Sequence, residues 1–321
     1  SFMKSMTNYR PFIRPGEEED VTDIAEEALS SPLRWITDTK QVREELRITP
    51  SIYMQYKVLP WLTLKSSFGA DYRWQERTKY KGPTVYRSPA SGVSAQTEIY
   101  SWNWDNLVTM SKSFGKHNLT GTLGFTMSRW HDSAHTLASS HLLQYGTGFA
   151  GIASGDTIEY TFTESDKSQM STFVRLLYSY GERYVLTATY RLDGSSVFAQ
   201  RNRFAGFPSA AFAWRINKEP WFHVRAISNL KFRVGYGEVG NCSVSPYQVM
   251  SQYGAGYLGN HFNESGYKPA LSFANFANEA LKWESTRQVN LGLDLSLFRG
   301  RVTLTADAYY KDTHDLLQRR N

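Results

Sequence analysis

The chain has 321 residues, with 36 Lys+Arg against 30 Asp+Glu for a formal net charge of +6, and it is 41% hydrophobic, 15% aromatic and 21% charged. That balance excludes the low-hydrophobicity, high-charge signature of disorder, and 23 Gly with 11 Pro exclude a collagen-like or low-complexity chain. No stretch approaches the roughly 18 consecutive apolar residues of a membrane-crossing helix, and residues 1–15 lack the apolar core of a signal peptide.

Further function classes fall away on composition. A single cysteine, Cys242, excludes an internal disulfide framework and a cysteine-based zinc site. The positive charge is spread thinly with no basic block, so no nucleic-acid partner is expected. Nine Trp, 20 Tyr and 18 Phe in a chain of mean hydropathy −0.47 suit a β structure whose two faces meet different media.

In chain order, residues 1–44 come first. Glu17-Glu18-Glu19-Asp20 followed by Val21, Ile24, Ala25, Ala28 and Leu29 reads either as a short acidic amphipathic helix stopped by Pro32 or as a loop segment. From there the pattern is period-two alternation, which places successive side chains on opposite faces of a strand. Leu46, Ile48, Ile52, Met54 and Tyr56 lead through Val58-Leu59-Pro60 into Leu62, Leu64, Phe68, Ala70, Tyr72 and Trp74. Tyr100, Trp102, Trp104, Val108 and Met110 turn at Phe114-Gly115-Lys116 into Leu119, Leu123, Phe125 and Met127. Val174, Leu176, Tyr178 and Tyr180 pass Gly181-Glu182 into Tyr184, Leu186, Ala188, Tyr190 and Leu192. Strands over about 205–217 and 227–238 come next. The clearest hairpin is last: Val289, Leu291, Leu293, Leu295 and Leu297 alternate with Gln288, Asn290, Gly292, Asp294 and Ser296, then Phe298-Arg299-Gly300 turns into Val302, Leu304, Ala306, Ala308 and Tyr310.

These make about ten strands. The links alternate between short ones near 58–60, 112–116, 181–182, 218–226 and 298–300 and long ones near 78–96, 133–167, 195–204 and 239–282. One oily and one wet face per strand, with short turns at one end and long loops at the other, is the pattern of an antiparallel transmembrane β-barrel, whose spans need about 9–11 residues each. Leu291, Leu293 and Leu295 are expected to face lipid, and Asn290, Gly292 and Asp294 the lumen.

Several constellations bear on chemistry. Gly235-Tyr236-Gly237-Glu238-Val239-Gly240 matches the dinucleotide pattern, yet the adjoining Asn241-Cys242-Ser243-Val244-Ser245-Pro246 is loop chemistry rather than a helix; glycines easing a strand into a loop are the expectation. His131 and His135 stand four apart without the glutamate of a metalloprotease helix and are expected at a solvated rim. Asp105, Asp193, Asp294 and Asp307 lie on different strands, and spacing leaves open whether two meet as a pair. No catalytic set, metal site or cofactor site is expected. Trp74, Tyr72, Trp130, Trp214, Tyr309 and Tyr310 fall near strand ends, where rings anchor a barrel at headgroup level. In 239–282, Tyr247, Tyr253, Tyr257, Phe262, Tyr267, Phe273 and Phe276 alternate with Gly, Asn and Ser, a mix suited to stacking on sugar rings or packing on a partner; the first five are the candidate substrate or partner contacts.

Three stretches resemble the SusC/RagA family of TonB-dependent outer-membrane transporters: Tyr190-Arg191-Leu192-Asp193-Gly194-Ser195-Ser196-Val197-Phe198 continuing to Phe207-Pro208-Ser209-Ala210; Leu230-Lys231-Phe232-Arg233-Val234-Gly235-Tyr236-Gly237 with Gly240-Asn241; and Leu281-Lys282-Trp283-Glu284 with Gln288-Val289-Asn290-Leu291-Gly292-Leu293-Asp294. The resemblance is specific over 183–317 and one of pattern over 45–132. It implies an internal segment, residues 45–317, of a larger plugged barrel, preceded by the 1–44 segment, with no plug domain in this sequence. It implies active import of a large nutrient, oligosaccharide or peptide, in the bacterial outer membrane, energised by the TonB complex and paired with a SusD-like surface lipoprotein, and no enzymatic activity. The alternative from another class is a surface adhesin or structural outer-membrane barrel without TonB coupling.

Overall fold

A computed structural model of the chain describes residues 36–83, 89–263 and 266–318, and over 255–272 the backbone alone. Most of the 1–44 segment, including its proposed acidic helix, lies outside the described residues.

Thirteen strands account for the described fold: β1 (Thr39–Ile48), β2 (Ser51–Leu59), β3 (Leu62–Lys81), β4 (Ser91–Phe114), β5 (His117–Leu142), β6 (Gly155–Tyr180), β7 (Tyr184–Ser195), β8 (Phe204–Arg215), β9 (Ile227–Asn241), β10 (Gln252–Asn263), β11 (Gly266–Asn275), β12 (Glu284–Leu297) and β13 (Val302–His314). Ten of them form one continuous path, β1-β3-β4-β5-β6-β7-β8-β9-β12-β13, and β2 also pairs with β3. The expected first strand is thus split. Thr49-Pro50 interrupts it because proline has no N–H for the ladder, while the Pro50 carbonyl still accepts from Ala70 N at 3.0 Å.

The long links are shorter than their sequence suggests. The 133–167 loop is mostly strand: β5 runs to Leu142, a 3-10 segment occupies Tyr145–Ser154, and β6 starts at Gly155. Likewise 78–96 reduces to the residues between Lys81 and Ser91. The 239–282 stretch holds the β10–β11 hairpin, a separate two-stranded sheet.

The chain divides into two compact units. The first takes residues up to Pro50, Ala70–Ser101 and His131–Ser165. Its small core is Tyr80, Ala90 and Leu142 with Phe149 against them, and Tyr80 donates its hydroxyl to the Tyr145 carbonyl at 2.8 Å. Arg47 forks onto Asp71 at 3.0 and 2.7 Å.

The second unit, Ser51–Gly69, Trp102–Trp130 and Asp166 onward, carries the two-faced strands. On β12, Leu291 stands between Val234 of β9 and Ala308 of β13, and Leu293 between Phe232 and Ala306. One step along, Gly292 stands between Arg233 and Asp307. Leu291, Leu293, Val289, Val174, Leu176 and Leu186 are all exposed, so the apolar row covers no core within this unit.

At the short-turn end of these strands the rings line up. Phe114 lies 5.2 Å from His117, His117 4.8 Å from Tyr180, Tyr180 6.4 Å from Tyr184, Tyr184 6.4 Å from Trp214, and Trp214 6.4 Å from Trp221. Of the six rings expected to anchor strand ends, Trp214 belongs to this row. Tyr72 and Trp74 instead sit far along β3, opposite Ile48 and Leu46 of β1.

Candidate functional site

The polar face of β9, β12 and β13 holds a linked cluster of charges. Arg233 reaches Asp294 through Nε and Nη2 at 3.0 and 2.9 Å, and its Nη2 also meets Asp307 at 3.0 Å. Lys231 adds a longer contact to Asp294 at 3.8 Å. The register explains it, since Asp294 is opposite Lys231, and Gly292 has both Arg233 and Asp307 as neighbours. Gly292 has no side chain to keep them apart, and a Cβ there would press on the Arg233 guanidinium at 2.7 Å. Asp294 and Asp307 do meet, across a guanidinium that bonds to both. Arg287 pairs with Glu238 at 3.0 Å on the opposite face, one pair beyond Val289 and Tyr236.

A second feature was not visible in the sequence. Val197, Phe198, Phe207 and Trp283 form a buried cluster, flanked by Ala205, Cys242, Val244 and Leu281. Trp283 packs against Phe198 at 5.2 Å and Phe207 at 5.7 Å, and donates its indole N–H to the Arg203 carbonyl at 3.2 Å. Asn202 donates to the carbonyls of Glu279 and Leu281 at 3.3 and 3.1 Å. The β8–β9 register begins only at Ser209 opposite Gly237, so Phe204–Pro208 pair with β7, and the cluster fills the space where β8 and β9 part. The Phe207 ring lies directly over Gly240, where a Cβ would collide with it. Val197-Phe198 with Phe207, and Leu281 with Trp283, from the first and third stretches that carry the family resemblance, therefore meet at one end of the strands. The spacing of about 80 residues between Arg203 and Trp283 hid this, because nothing local marks such a contact.

The candidate contact residues divide. Tyr247 has φ 66°, and its hydroxyl accepts from the backbone N–H of Asp166 at 3.1 Å, which ties the start of this loop to β6. Tyr253, near the open end of the β10–β11 hairpin, packs on Phe273 at 4.8 Å, and Phe273 stacks on Phe276 at 5.0 Å. All three rings are more than half exposed. Tyr257 falls within β10, and Phe262 stands opposite Tyr267 at the hairpin tip. The hairpin thus brings Tyr253, Phe273 and Phe276 together, and Tyr247 is separate from them at its own anchor.

The remaining motifs have structural homes. Gly235–Gly240 lies wholly within β9, from Gly235 opposite Asn290 to Gly240 opposite Ser285, so it meets no helix and forms no phosphate loop. His135 shares a hydrogen bond of 2.7 Å with the Tyr160 hydroxyl and lies 4.8 Å from Phe162, whereas His131 faces Glu164 at 4.0 Å.

Comparison with known proteins bears on this geometry. Residues 55–321 match the family described as TonB dependent receptor-like, beta-barrel. The chain is 29% identical to TonB-dependent receptor P3 of Formosa agariphila over 90% of its length, and 29% identical to TonB-dependent receptor SusC of Bacteroides thetaiotaomicron over 82%. It spans 29% and 26% of those two proteins. Its fold resembles the structure of the RagAB peptide transporter, with a TM-score of 0.82 and 21% identity over 96% of this chain and 34% of that one. With its alternating strands, open sheet and short-turn aromatic row, the chain belongs to the TonB-dependent receptor-like β-barrel family.

Proposed function

We propose that this chain is part of the wall of an outer-membrane transporter that imports a large nutrient, an oligosaccharide or a peptide, with energy delivered through TonB and a surface lipoprotein as partner. The observation that carries the reading is the two-faced sheet. One face presents uncovered Val174, Leu176, Leu186, Leu291 and Leu293, as a lipid-facing wall requires, and the other presents the Arg233, Asp294 and Asp307 charges, as a wet lumen requires. Backbone groups in hydrocarbon must be paired, and among the described residues the ladders pair both sides of β3 to β9 and β12.

The β10–β11 hairpin, with Tyr253, Tyr257, Phe262 and Tyr267, and Tyr247 at its own anchor before it supply the substrate or lipoprotein contacts in this reading. The hairpin's ends are held together, since Ala277 N donates to Ser251 Oγ at 3.2 Å, so residues 252–275 can be excised without pulling on β9 or β12. In the full-length protein in its native cells, that deletion is expected to leave assembly intact and to abolish either uptake or co-purification of the lipoprotein. A tag at Gly256 is expected to be reachable on intact cells. Uptake that persists without TonB would overturn the transport reading; unchanged uptake and co-purification after the deletion would remove the role of the hairpin.

A further inference from the structure

The link between β8 and β9 is unlike the other short turns: residues 216–226 separate these strands, against two residues between β4 and β5 and three between β6 and β7. Its backbone is tied down throughout. Glu219 N bonds the Ile216 carbonyl at 3.0 Å, Phe222 N the Glu219 carbonyl at 3.1 Å, and Ile227 N the Val224 carbonyl at 3.1 Å. Phe298 N bonds the Ala226 carbonyl at 2.8 Å, which fastens the link to the neighbouring β12–β13 turn. The Glu219 side chain, only 4% exposed, accepts from Arg183 Nη1 at 3.1 Å and Trp214 Nε1 at 2.9 Å. A link this long with so many internal bonds is a platform rather than a slack connection.

What the platform presents is apolar. Trp221 is 62% exposed and Val224 50% exposed, with Pro220 exposed beside them. Trp221 meets Trp214 edge-on at 6.4 Å and Phe222 at 6.1 Å, so it extends the aromatic row outward by one ring. Trp214 shares its face of the sheet with Phe232 and Tyr184, its register partners, and hence with Leu293 on the apolar row. Exposed Arg225 flanks the apolar tip, while Lys218 on its other side is paired with Glu182 at 2.9 Å. An indole beside an aliphatic group, bordered by a cation and continuous with an apolar wall, matches the headgroup boundary of a bilayer, where rings sit at the polar–apolar transition and cations meet phosphate.

We infer that residues 219–225 form a membrane-surface anchor: Trp221, Phe222 and Val224 enter the acyl boundary of the leaflet at the short-turn end, and Arg225 binds phospholipid phosphate. This rests on the proposed membrane location of the barrel, and the test separates the two. The full-length protein, with Cys242 and any other cysteine replaced by serine, takes a single cysteine at Trp221, Leu293 or Arg299, labelled with an environment-sensitive fluorophore and reconstituted into phosphatidylethanolamine–phosphatidylglycerol vesicles. Quenching by lipids carrying a shallow nitroxide is expected at 221, quenching by a deep nitroxide at 293, and a water-like spectrum at 299. Quenching at 293 with a water-like 221 overturns the anchor alone, including in favour of a soluble periplasmic partner. A water-like 293 overturns the membrane reading itself. Because the label at 221 replaces the indole, a single cysteine at Val224 gives a second readout: shallow quenching is expected there with Trp221 in place and should fall several-fold with Trp221→Ala, and quenching that is unchanged counts against the anchor.

Discussion

At the scale of single residues, the two rows of β12 make opposite demands. Arg in place of Leu293 would put a charge on the exposed apolar row beside Phe232 and Ala306, at an expected cost of about 2–4 kcal/mol if that position lies near the bilayer midplane. Asp294 is a poor control for the other face, because Arg there would leave Lys231 and Arg233 facing a third cation. Asn290, exposed and outside the cluster, is the better one. Leu293→Arg should therefore lower the yield of heat-modifiable full-length barrel in membranes while Asn290→Arg leaves it near wild type, and equal yields would refute the assignment of faces. Glu219, on the β8–β9 link, gives a pH prediction. Hydrogen bonds from Tyr184, then Trp214 and Arg183, hold its carboxyl below the ordinary value of 4.5. A depressed folded-state value means that the carboxylate stabilises the fold above the unfolded value and that this contribution disappears as pH falls through the folded one. Wild type should thus lose melting temperature more steeply below about pH 4.5 than Glu219→Gln; parallel curves would show that the group contributes nothing. The alternation that separates Leu293 from Asp294 was legible because it repeats every second residue. The bonds to Glu219 were not, because Arg183 and Glu219 are 36 positions apart.

Among the elements, sequence reading served best where a strand has two chemically different faces. The β12–β13 hairpin, with its turn at Phe298-Arg299-Gly300, lies where alternation placed it, and the turn uses positive φ at all three positions, 52°, 60° and 85°. On β6, Ile158, Tyr160 and Phe162 alternate with Thr157, Glu159, Thr161 and Thr163, so the 133–167 stretch, which reads as loop from its length and flanking polar residues, also holds a two-faced strand. The β10–β11 hairpin is harder to read, because Gly and aromatic residues alternating without a polar row give no preferred face. The loop cluster marks the same limit at longer range and carries its own prediction. Trp283 is 9% exposed and fills the gap between Phe198 and Phe207, so Trp283→Ala should cost about 3–5 kcal/mol locally. Because the spanning ladders do not depend on it, the expected result is selective proteolysis within 196–203 and 276–283 of an otherwise assembled barrel. Protection equal to wild type at both sites would show that the cluster does not hold these links.

On the scale of the whole molecule, the strand path has two ends. β13 pairs only with β12, and β1 and β2 pair only with β3, among the described residues. In water an exposed edge invites pairing with another chain, and in hydrocarbon each unpaired backbone group costs several kcal/mol, so neither environment tolerates this sheet by itself. Closing it on itself would bring β1 and β2 against β13. A barrel's diameter grows with strand number, and the polar face carries Arg175, Arg191 and Arg233 with their partners, which suit a wide wet lumen rather than a packed interior. Residues 1–321 expressed alone are therefore expected to associate through their edges and to give no closed, detergent-stable barrel, whereas the same residues within a full-length protein should be paired on both sides. The measurement is refolding in detergent followed by electrophoresis with and without boiling, together with limited proteolysis. A heat-modifiable monomer with the bulk of the chain protected would mean that these strands suffice for a small closed barrel, and that the charges of the polar face are accommodated in a much narrower interior than their lengths suggest.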